Sequence, residues 1–180
     1  MKTGISENPF GEFRKECRKL LVEVLKKGFP TIDIPTFVLD LPPAPQFGEL
    51  SSSICFELAK VLGKNPKLLS EKIVKAVDLS EAFLVERVES AGGGYVNFYA
   101  NYANFSRLAL ESARKFDEEY GLIKTDKPRR VIVEHTSVNP IHPIHIGQAR
   151  NPVLGDALAR ILKARGHTVF RHYYIDDVGR

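Results

Sequence analysis

The sequence predicts an α+β domain over residues 1–120, followed by the start of an α/β domain over 131–180. In the first region, helical apolar patterns flank a glycine-centred hairpin. The second region shows strand, helix and strand patterns in that order, which is typical of a parallel βαβ unit. The polar, turn-rich segment 121–130 lies between them and predicts a linker. One βαβ unit covers its own sheet poorly, so we expect the second domain to be incomplete.

The first helix is predicted to begin after Ser6 or Asn8, because a proline at position 9 favours a helix start. Gly28 and Pro30 are expected to end it. Apolar residues recur along it at spacings of three and four, which predicts one buried face formed by Phe10, Phe13, Cys17, Leu20, Leu21 and Val24.

Residues 31–50 alternate apolar and polar side chains around a proline-rich stretch. They predict two short strands, or one strand broken at Pro35, and then an extended loop over 42–49. The serines at 51–53 are expected to cap a second helix, and the sequence GKNP at 63–66 to separate it from a third. The predicted inward residues are Ile54, Leu58, Val61 and Leu62 in the second helix, and Leu69, Ile73, Val74 and Val77 in the third.

The segments AFLVERVES and YVNFYA predict two strands that a turn of three glycines, 92–94, joins into a hairpin. A fourth helix is predicted over about 102–120. Its inward residues are Leu108, Ala109, Ser112 and Phe116. In the second region the predicted strands are RVIVEHTS and HTVFRHYYI, with a helix over 147–165 between them.

Composition and charge restrict the class of protein only loosely. Of the 180 residues, 43% are hydrophobic and 27% are charged, which is ordinary for a globular chain that buries a core. The formal net charge of +4 fits nucleic-acid binding without requiring it. Cys17 and Cys55 lack a CxxC spacing and are expected to be free, buried thiols in a reducing compartment. The sequence shows no signal segment or membrane-length apolar run, so we expect a cytoplasmic protein with no membrane partner.

The segment EHTSVNPIHPIHIGQ joins the first strand of the second region to its helix. Ligands of doubly wound sheets bind at the carboxyl ends of strands, and a helix N-terminus suits phosphate. Gly147 would allow a ring or a phosphate to approach the backbone closely, and His145 would donate to a phosphate oxygen. The alternative interpretation is that these histidines are helix caps or surface residues.

Other kinds of site find less support in the sequence. His135, His142 and His145 lack the helical i, i+4 spacing of a metal site, and no cysteine lies near them, so no metal site is predicted. The sequence contains no G-x-G-x-x-G fingerprint of a dehydrogenase and no G-x-x-x-x-G-K-[ST] phosphate loop.

The sequence VEHTSVNPIHPIHIGQARNPVLGDALARIL, with YYIDDVG on the next strand, resembles the first crossover of class I aminoacyl-tRNA synthetases, specifically the archaeal type of the arginyl-tRNA synthetase family. HIGQ stands where that family has its HIGH signature. The first region resembles the family's N-terminal additional domain through NPF, FGELSSSICFELAKVLGKNP and GGGYVNFYA. The resemblance implies a tRNA-contacting domain followed by the start of a Rossmann-like, nucleotide-binding catalytic domain.

The resemblance implies a role for each matched residue. Positions implied in arginine binding are Glu134, Ser137, Val138, Asn139 and Gln148. Positions implied in ATP binding are His142, His145, Gly147 and Gln148, of which His145 and Gln148 are the implied catalytic residues. His145 would stabilise the α-phosphate during attack by the arginine carboxylate, and Gly147 would pass under the adenine. Glu134 suits a guanidinium, because a carboxylate matches its fork geometry.

Two positions depart from the family pattern. Gln148 replaces the last histidine of the signature, and its amide donates hydrogen bonds but carries no charge. We hypothesise that the site tolerates glutamine because hydrogen-bond donation is required there and protonation is not. His142 stands where many members carry lysine. Asp176 and Asp177 are interpreted either as turn residues or as carboxylates beside the substrate pocket.

In the first region the resemblance implies contact with the D-loop corner of tRNA. Tyr95, Asn97 and Tyr99 alternate on one face of a strand, where they would stack on unpaired bases and hydrogen-bond to them. Packing of Tyr95 on a neighbouring helix is the alternative. A further set of basic residues provides either phosphate contacts or scattered surface charge: Lys60, Lys72, Lys75 and Arg87.

The resemblance thus implies the N-terminal part of an arginine–tRNA ligase. Its partners would be tRNA, arginine and ATP, with ATP as a substrate, Mg²⁺ expected beside it and no tightly bound cofactor. The family's second ATP-binding motif and its anticodon-binding module are missing from the sequence. We therefore expect this chain alone to bind tRNA without aminoacylating it, and the rest of the synthetase is a candidate partner. A stand-alone or trans-acting tRNA-binding module, half of a split synthetase, and a nucleotidylyltransferase-like protein are the alternatives.

Overall fold

The structure, a computed structural model, describes residues 4–137, 143 and 145–174. The chain forms two compact units, an N-terminal unit of residues 1–117 and a C-terminal unit of residues 118–180. The N-terminal unit contains α1 (Pro9–Gly28), β1 (Leu50–Ser52), α2 (Ile54–Leu62), α3 (Pro66–Lys75), β2 (Val85–Ala91), β3 (Tyr95–Ala100) and α4 (Tyr102–Phe116). The C-terminal unit contains β4 (Arg130–Glu134), α5 (Ile146–Ala164) and β5 (Thr168–His172).

Helix α1 forms as the sequence predicts. The side chain of Asn8 accepts a hydrogen bond from the backbone N–H of Gly11 at 2.9 Å, which caps the helix start. The predicted face is buried at every position except Phe10, which is partly buried. Both cysteines are free and buried, as expected. Burial raises the pKa of the Cys55 thiol to about 12 and also raises the pKa of the Cys17 thiol.

The strands predicted between residues 31 and 40 are wrong. Residues 31–49, all of them described, contain no strand, and Asp40 forms only an isolated bridge with Ser51. The carbonyls of Phe37 and Leu39 instead accept hydrogen bonds from the guanidinium groups of Arg18 and Arg14 on α1, at 2.9 and 3.1 Å. Side-chain donors from the preceding helix therefore satisfy these two carbonyl groups, which do not need a neighbouring strand as a partner.

The N-terminal unit is built on a three-stranded antiparallel sheet of order β1-β3-β2. The predicted glycine hairpin is confirmed, with Tyr95 opposite Ala91. On β3, Val96 and Phe98 belong to the buried core that the helices complete. Gly94 has a φ of +143°, and a Cβ there would lie 2.8 Å from the Pro66 Cβ. This close approach fixes the hairpin turn against the start of α3.

The remaining helices of the N-terminal unit form where the sequence predicts them, but several details differ. Val77 lies beyond the end of α3, and the predicted capping serines 51 and 52 belong to β1. Ile54 and Leu58 on α2 are buried, but Val61 is 62% exposed, so its inward assignment is wrong. Helix α4 ends at Phe116, earlier than predicted, and Asp117 follows it with a φ of +47°. A positive φ at that position departs from helical geometry, so the α-helix ends there.

The C-terminal unit is a parallel βαβ unit, which confirms the predicted fold class. Strands β4 and β5 pair in parallel from Arg130 opposite Thr168 to Glu134 opposite His172. The segment preceding β4 is anchored to the end of α5: the Thr125 N–H donates to the Arg165 carbonyl at 2.9 Å, and the Arg165 guanidinium donates to a carbonyl at position 123. Much of the segment that was predicted to be a linker is thus bonded into this unit.

A candidate active-site cleft and a candidate RNA-contacting face

The C-terminal unit has a cavity of about 420 Å³ at the carboxyl end of β4. Its lining combines the end of that strand with the middle turns of α5, and consists of Glu134, His135, Thr136, Ser137, Asn151, Leu154, Gly155 and Leu158. This is the end of a parallel sheet where doubly wound folds bind ligands. Two predicted arginine-binding residues, Glu134 and Ser137, therefore line the same cavity.

The chain turns sharply where it leaves β4. Thr136 has a φ of +67°, which is unfavourable for a β-branched residue and costs on the order of 1–3 kcal/mol. Its hydroxyl lies 2.6 Å from the Nδ1 atom of His135. The Ser137 hydroxyl accepts a hydrogen bond from the Tyr174 N–H at 3.0 Å, just beyond the end of β5. These contacts tie the ends of both strands together at the cavity.

His135 and Gly155 form a close contact that the sequence analysis did not identify. A Cβ at position 155 would lie 2.3 Å from the His135 Cβ and 2.4 Å from its Cγ, so only glycine fits there. The Nε2 atom of His135 is buried without a hydrogen-bond partner among the described residues. A glycine inside a predicted helix was the available signal, because such a glycine usually has a packing reason.

His145 occupies the N-cap position of α5. Its Nδ1 atom accepts a hydrogen bond from the Gly147 N–H at 3.1 Å. In a neutral imidazole, a ring nitrogen that accepts leaves the proton on the other nitrogen, so Nε2 is then a donor. The ring is exposed at the helix start, where backbone N–H groups also favour an anion. A Cβ at Gly147 would lie 3.0 Å from the His145 Cε1, so the glycine also gives this ring room.

Gln148 bonds back to the residue that caps its helix. Its Oε1 atom accepts from the His145 backbone N–H at 3.2 Å, which together with the His145 ring contact forms a reciprocal cap. Among the described residues the amide nitrogen of Gln148 has no acceptor. The side chain is therefore oriented with its oxygen occupied and its N–H₂ group available to donate.

Several predicted site residues lie outside the described part of the chain. These are Val138, Asn139, His142, Asp176 and Asp177. Within the described part, no three acidic, histidine or cysteine side chains are grouped so that they would hold a metal ion. No helix in that part is long and apolar enough to cross a membrane.

The predicted RNA-contacting residues of β3 differ in their exposure. Tyr95 is 45% exposed, and its ring packs edge-on against Phe56 with the ring centroids 5.1 Å apart. Asn97 is only 2% exposed, and its Oδ1 accepts from the Ser51 hydroxyl at 2.7 Å. Both line a cavity of about 450 Å³ beside the proline-rich loop, whose lining also includes Asp40, Leu41, Pro42, Pro43 and Phe47. Tyr95 thus packs on a helix and still faces an open cavity.

Tyr99 does not offer its ring for direct stacking. It is 9% exposed, and its hydroxyl donates to the Gln46 carbonyl at 3.0 Å. The guanidinium carbon of Arg87 lies 3.7 Å from the centre of the ring and covers its face. Of the other predicted phosphate contacts, Lys60 pairs with Glu57 at 2.8 Å, and the Lys72 ammonium lies 5.4 Å from the Phe29 ring centre.

Two family models match consecutive parts of this chain. Residues 15–100 match the arginyl tRNA synthetase N terminal domain, and residues 110–180 match the catalytic domain of class I tRNA synthetases of the R type. The parallel βαβ unit and the second match define the start of a class I tRNA synthetase catalytic domain. Both family models describe synthetases of the arginyl or R type, and the chain belongs to the arginyl-tRNA synthetase family. The resemblance seen in the motifs is thereby confirmed.

Individual relatives agree with this assignment. The chain is 44% identical to an arginine–tRNA ligase of Methanobrevibacter smithii over 90% of its own length and 27% of the relative's. It is 38% identical to that of Thermococcus sibiricus, over 90% of this chain and 25% of the relative. The solved Thermus thermophilus arginyl-tRNA synthetase matches with a TM-score of 0.53 and 30% identity, over 92% of this chain and 26% of that one. The chain thus spans about a quarter of the length of the relatives it matches.

Proposed function

We propose that this chain serves as the N-terminal part of an arginine–tRNA ligase, which activates arginine with ATP and transfers it to tRNA. The observation that carries the proposal is the cavity at the end of β4, where Glu134 and Ser137 meet the middle turns of α5. Family membership supplies the class of reaction, and the geometry of this cavity fits it. The N-terminal unit would contact tRNA, and the C-terminal unit would contribute one side of the arginine and ATP site.

Glu134 and Ser137 are proposed to bind arginine. The Glu134 carboxylate is exposed at the last position of β4 and suits the two-pronged geometry of a guanidinium. The Ser137 oxygen already accepts from Tyr174, so its hydroxyl proton is left to donate to the substrate. Val138 and Asn139 are proposed to complete this side of the site.

The start of α5 is proposed to bind ATP. His145 would donate through Nε2 to the α-phosphate and to the charge that develops on it as the arginine carboxylate attacks. Gly147 would lie under the adenine, and His142 would add a further phosphate contact. The residues act by positioning and by electrostatic stabilisation. Mg²⁺ enters the proposal as the companion of the ATP phosphates.

Gln148 is proposed to donate a hydrogen bond to substrate through its amide nitrogen. Its oxygen is held by the His145 N–H, which fixes the direction of the donor. Since donation does not depend on protonation, Gln148→His in the complete ligase should change the adenylation rate by less than about tenfold, the size expected for one comparable hydrogen bond. A gain of several orders of magnitude in a single-turnover adenylation assay would show that the site requires the imidazole.

This chain alone is proposed to be inactive in amino-acid activation. It spans about a quarter of its ligase relatives, and the catalytic-domain match covers only residues 110–180. We expect no arginine-dependent exchange of pyrophosphate into ATP by the purified 180-residue chain. Robust exchange that depends on arginine, and that His145→Ala abolishes, would overturn this part of the proposal.

The N-terminal unit is proposed to bind unpaired bases of tRNA through Tyr95 and Asn97, with Tyr99 supporting the same face. The Asn97 amide and the Tyr95 ring line the same cavity, an arrangement that suits one unpaired base. An unmodified arginine tRNA transcript should therefore bind more tightly than duplex RNA of equal length. Tyr95→Ala should weaken binding of the transcript about tenfold, the size expected for losing one stacked base.

The matched control for that experiment is Tyr120→Ala, a change at another exposed tyrosine outside the proposed face. It should leave tRNA affinity unchanged.

A trans-acting tRNA-binding module is the second candidate function, because the N-terminal unit has its own continuous core. That function predicts stimulation of a separate synthetase by the added chain, an effect that the first proposal does not require.

A further inference from the structure

Arg87 and Tyr99 form a fixed stack on the outer face of the N-terminal sheet. They are register partners on β2 and β3, next to a bulge between Val85 and Arg87. Bulges commonly re-aim a side chain, and here Arg87 faces the Tyr99 ring with its guanidinium carbon 3.7 Å from the ring centre. The Nε atom of Arg87 donates to the Glu89 carboxylate at 2.8 Å. The guanidinium is thus held over the ring by two contacts.

The ring beneath Arg87 is itself immobilised. The Tyr99 hydroxyl donates to the Gln46 carbonyl, and the backbone at Gly48 lies close to the ring. A Cβ at Gly48 would be 3.3 Å from the Tyr99 Cδ1 and 2.5 Å from the Phe98 carbonyl oxygen. The hydrogen bond from Arg87 lowers the pKa of Glu89, so the pair stays charged at neutral pH. The Arg87 side chain is nevertheless 51% exposed.

We infer that the outer face of the Arg87 guanidinium is a second platform on which an unpaired base of tRNA stacks. The inference rests on the proposed tRNA binding and adds a contact to it. Tyr99 lies four residues along β3 from Tyr95, a separation of about 13 Å in an extended strand. One base cannot bridge that separation, so this platform takes a different nucleotide from the one at Tyr95 and Asn97. Tyr99 then acts through Arg87 as a positioning residue.

The local charges favour a base over a phosphate. The Glu89 carboxylate accepts from the Arg87 Nε atom and offsets part of the guanidinium charge, and it would repel a phosphate placed beside it. The guanidinium plane, by contrast, remains open on the side away from Tyr99. Arginine planes stack on unpaired bases in RNA-binding proteins, and the aromatic ring beneath adds a layer to the stack.

Arg87→Lys tests this inference, because lysine keeps the charge and removes the plane. With the full 180-residue chain, its dissociation constant for an unmodified arginine tRNA transcript should rise about tenfold. Affinity for duplex RNA of equal length, which keeps phosphates but offers no unpaired bases, should not change. The slope of log K against log salt should also stay the same. Arg107→Lys is the control. Arg107 lies on α4 with its guanidinium carbon 6.0 Å from the centre of the Phe83 ring, and this variant should bind the transcript as tightly as the unmodified chain does.

Glu89→Gln gives a second test that leaves Arg87 in place. Stacking predicts weaker binding of the transcript, because the neutral amide still accepts from Arg87 but holds the guanidinium less strongly than the carboxylate does. A phosphate contact predicts tighter binding and a steeper salt slope, because the competing carboxylate is gone. The inference is overturned if Glu89→Gln binds the transcript more tightly than the unmodified chain does, or if Arg87→Lys keeps full affinity for it. It is also overturned if Arg87→Ala reduces the slope of log K against log salt by about one phosphate contact. If the unmodified chain does not prefer the transcript over the duplex, the proposed tRNA binding fails first, and this inference with it.

Discussion

The two units differ in how much of their apolar surface they bury. The N-terminal unit has a continuous core that includes Phe13, Leu21 and Phe98, each fully buried. In the described part of the C-terminal unit, Val133 and Ala159 are the buried apolar residues. Many of its other apolar side chains are exposed, among them Ile132, Ile146, Val153, Leu154, Leu158, Ile161, Phe170, Tyr173 and Tyr174.

This difference indicates which of the two units is expected to be the more stable. Burial of apolar area is the main favourable contribution to folding, so the N-terminal unit has a core to stabilise it. The described part of the C-terminal unit has one strand pair and one α-helix, and a parallel sheet usually needs cover on both faces. We therefore expect the N-terminal unit to be the more stable, and the following changes test that contrast.

The largest effect is expected from Phe98→Ala, in the core of the N-terminal sheet. Removing a fully buried phenylalanine should lower the free energy of unfolding of that unit by about 3–5 kcal/mol. Phe170→Ala is the matched change in the C-terminal unit, where the ring is 40% exposed, and it should cost less than about 1 kcal/mol. Urea unfolding followed by circular dichroism measures both. Equal costs would contradict the contrast between the units.

Glu16 on α1 provides the next largest effect. One of its carboxylate oxygens accepts hydrogen bonds from the backbone N–H groups at 83, 84 and 85, at 2.9 to 3.0 Å. Glu16→Ala leaves these donors without their acceptor and should cost about 2–3 kcal/mol, while Glu16→Gln keeps an acceptor and should cost less. Glu12→Ala, which breaks an exposed pair with Lys15, should cost less than about 1 kcal/mol. If urea unfolding shows that Glu12→Ala and Glu16→Ala lower the free energy of unfolding by similar amounts, the three hydrogen bonds to Glu16 do not stabilise the fold as proposed.

Gly155→Ala tests the packing of the C-terminal unit. The added methyl would overlap His135, and overpacking of this kind costs about 1–3 kcal/mol, more than the gain of roughly 1 kcal/mol in helix propensity. Hydrogen exchange over residues 130–137 should therefore become faster. Gly28→Ala at the end of α1, where nothing lies within 4 Å of the new Cβ, is the control and should not destabilise its helix. If both changes stabilise equally, the His135 contact is not close in solution.

The smallest effect at neutral pH concerns the buried thiols. The folded pKa of Cys55 is raised to about 12 from an ordinary value of 9.0, and that of Cys17 is raised too. Between pH 9 and 12 the unfolded chain therefore ionises first, so stability falls as pH rises through that window and is unaffected below it. At pH 8 Ellman's reagent should modify both thiols slowly in the folded chain and quickly in urea. Rapid modification of the folded chain would show that the core is open.

Sequence patterns within a few residues predicted those parts of the fold that depend on short-range interactions. The start of α1, the glycine hairpin and the parallel βαβ unit follow from capping, turn residues and apolar spacing, and all are present. The segment containing Phe37 was interpreted wrongly because Arg14 and Arg18, about twenty residues away, satisfy its backbone. No local pattern reports such a long-range donor.

The same distinction holds for the two candidate sites. The sequence predicted that Glu134 and Ser137 share one end of a strand, and the structure brings both to one cavity. It did not predict that Arg87 covers Tyr99, since that contact depends on the strand register and on a bulge. The reciprocal cap between His145 and Gln148 also emerged only from the structure, although glutamine at the third helical position is a known capping signal.

The most direct test of the central claim is hydrogen exchange of the 180-residue chain with and without an unmodified arginine tRNA transcript. The claim is that the N-terminal unit carries the RNA contact through the face formed by β3, β2 and the proline-rich loop. It predicts slower exchange on tRNA binding over residues 40–53 and 85–99. Protection confined to residues 118–174, with no change over 40–53 and 85–99, would contradict it.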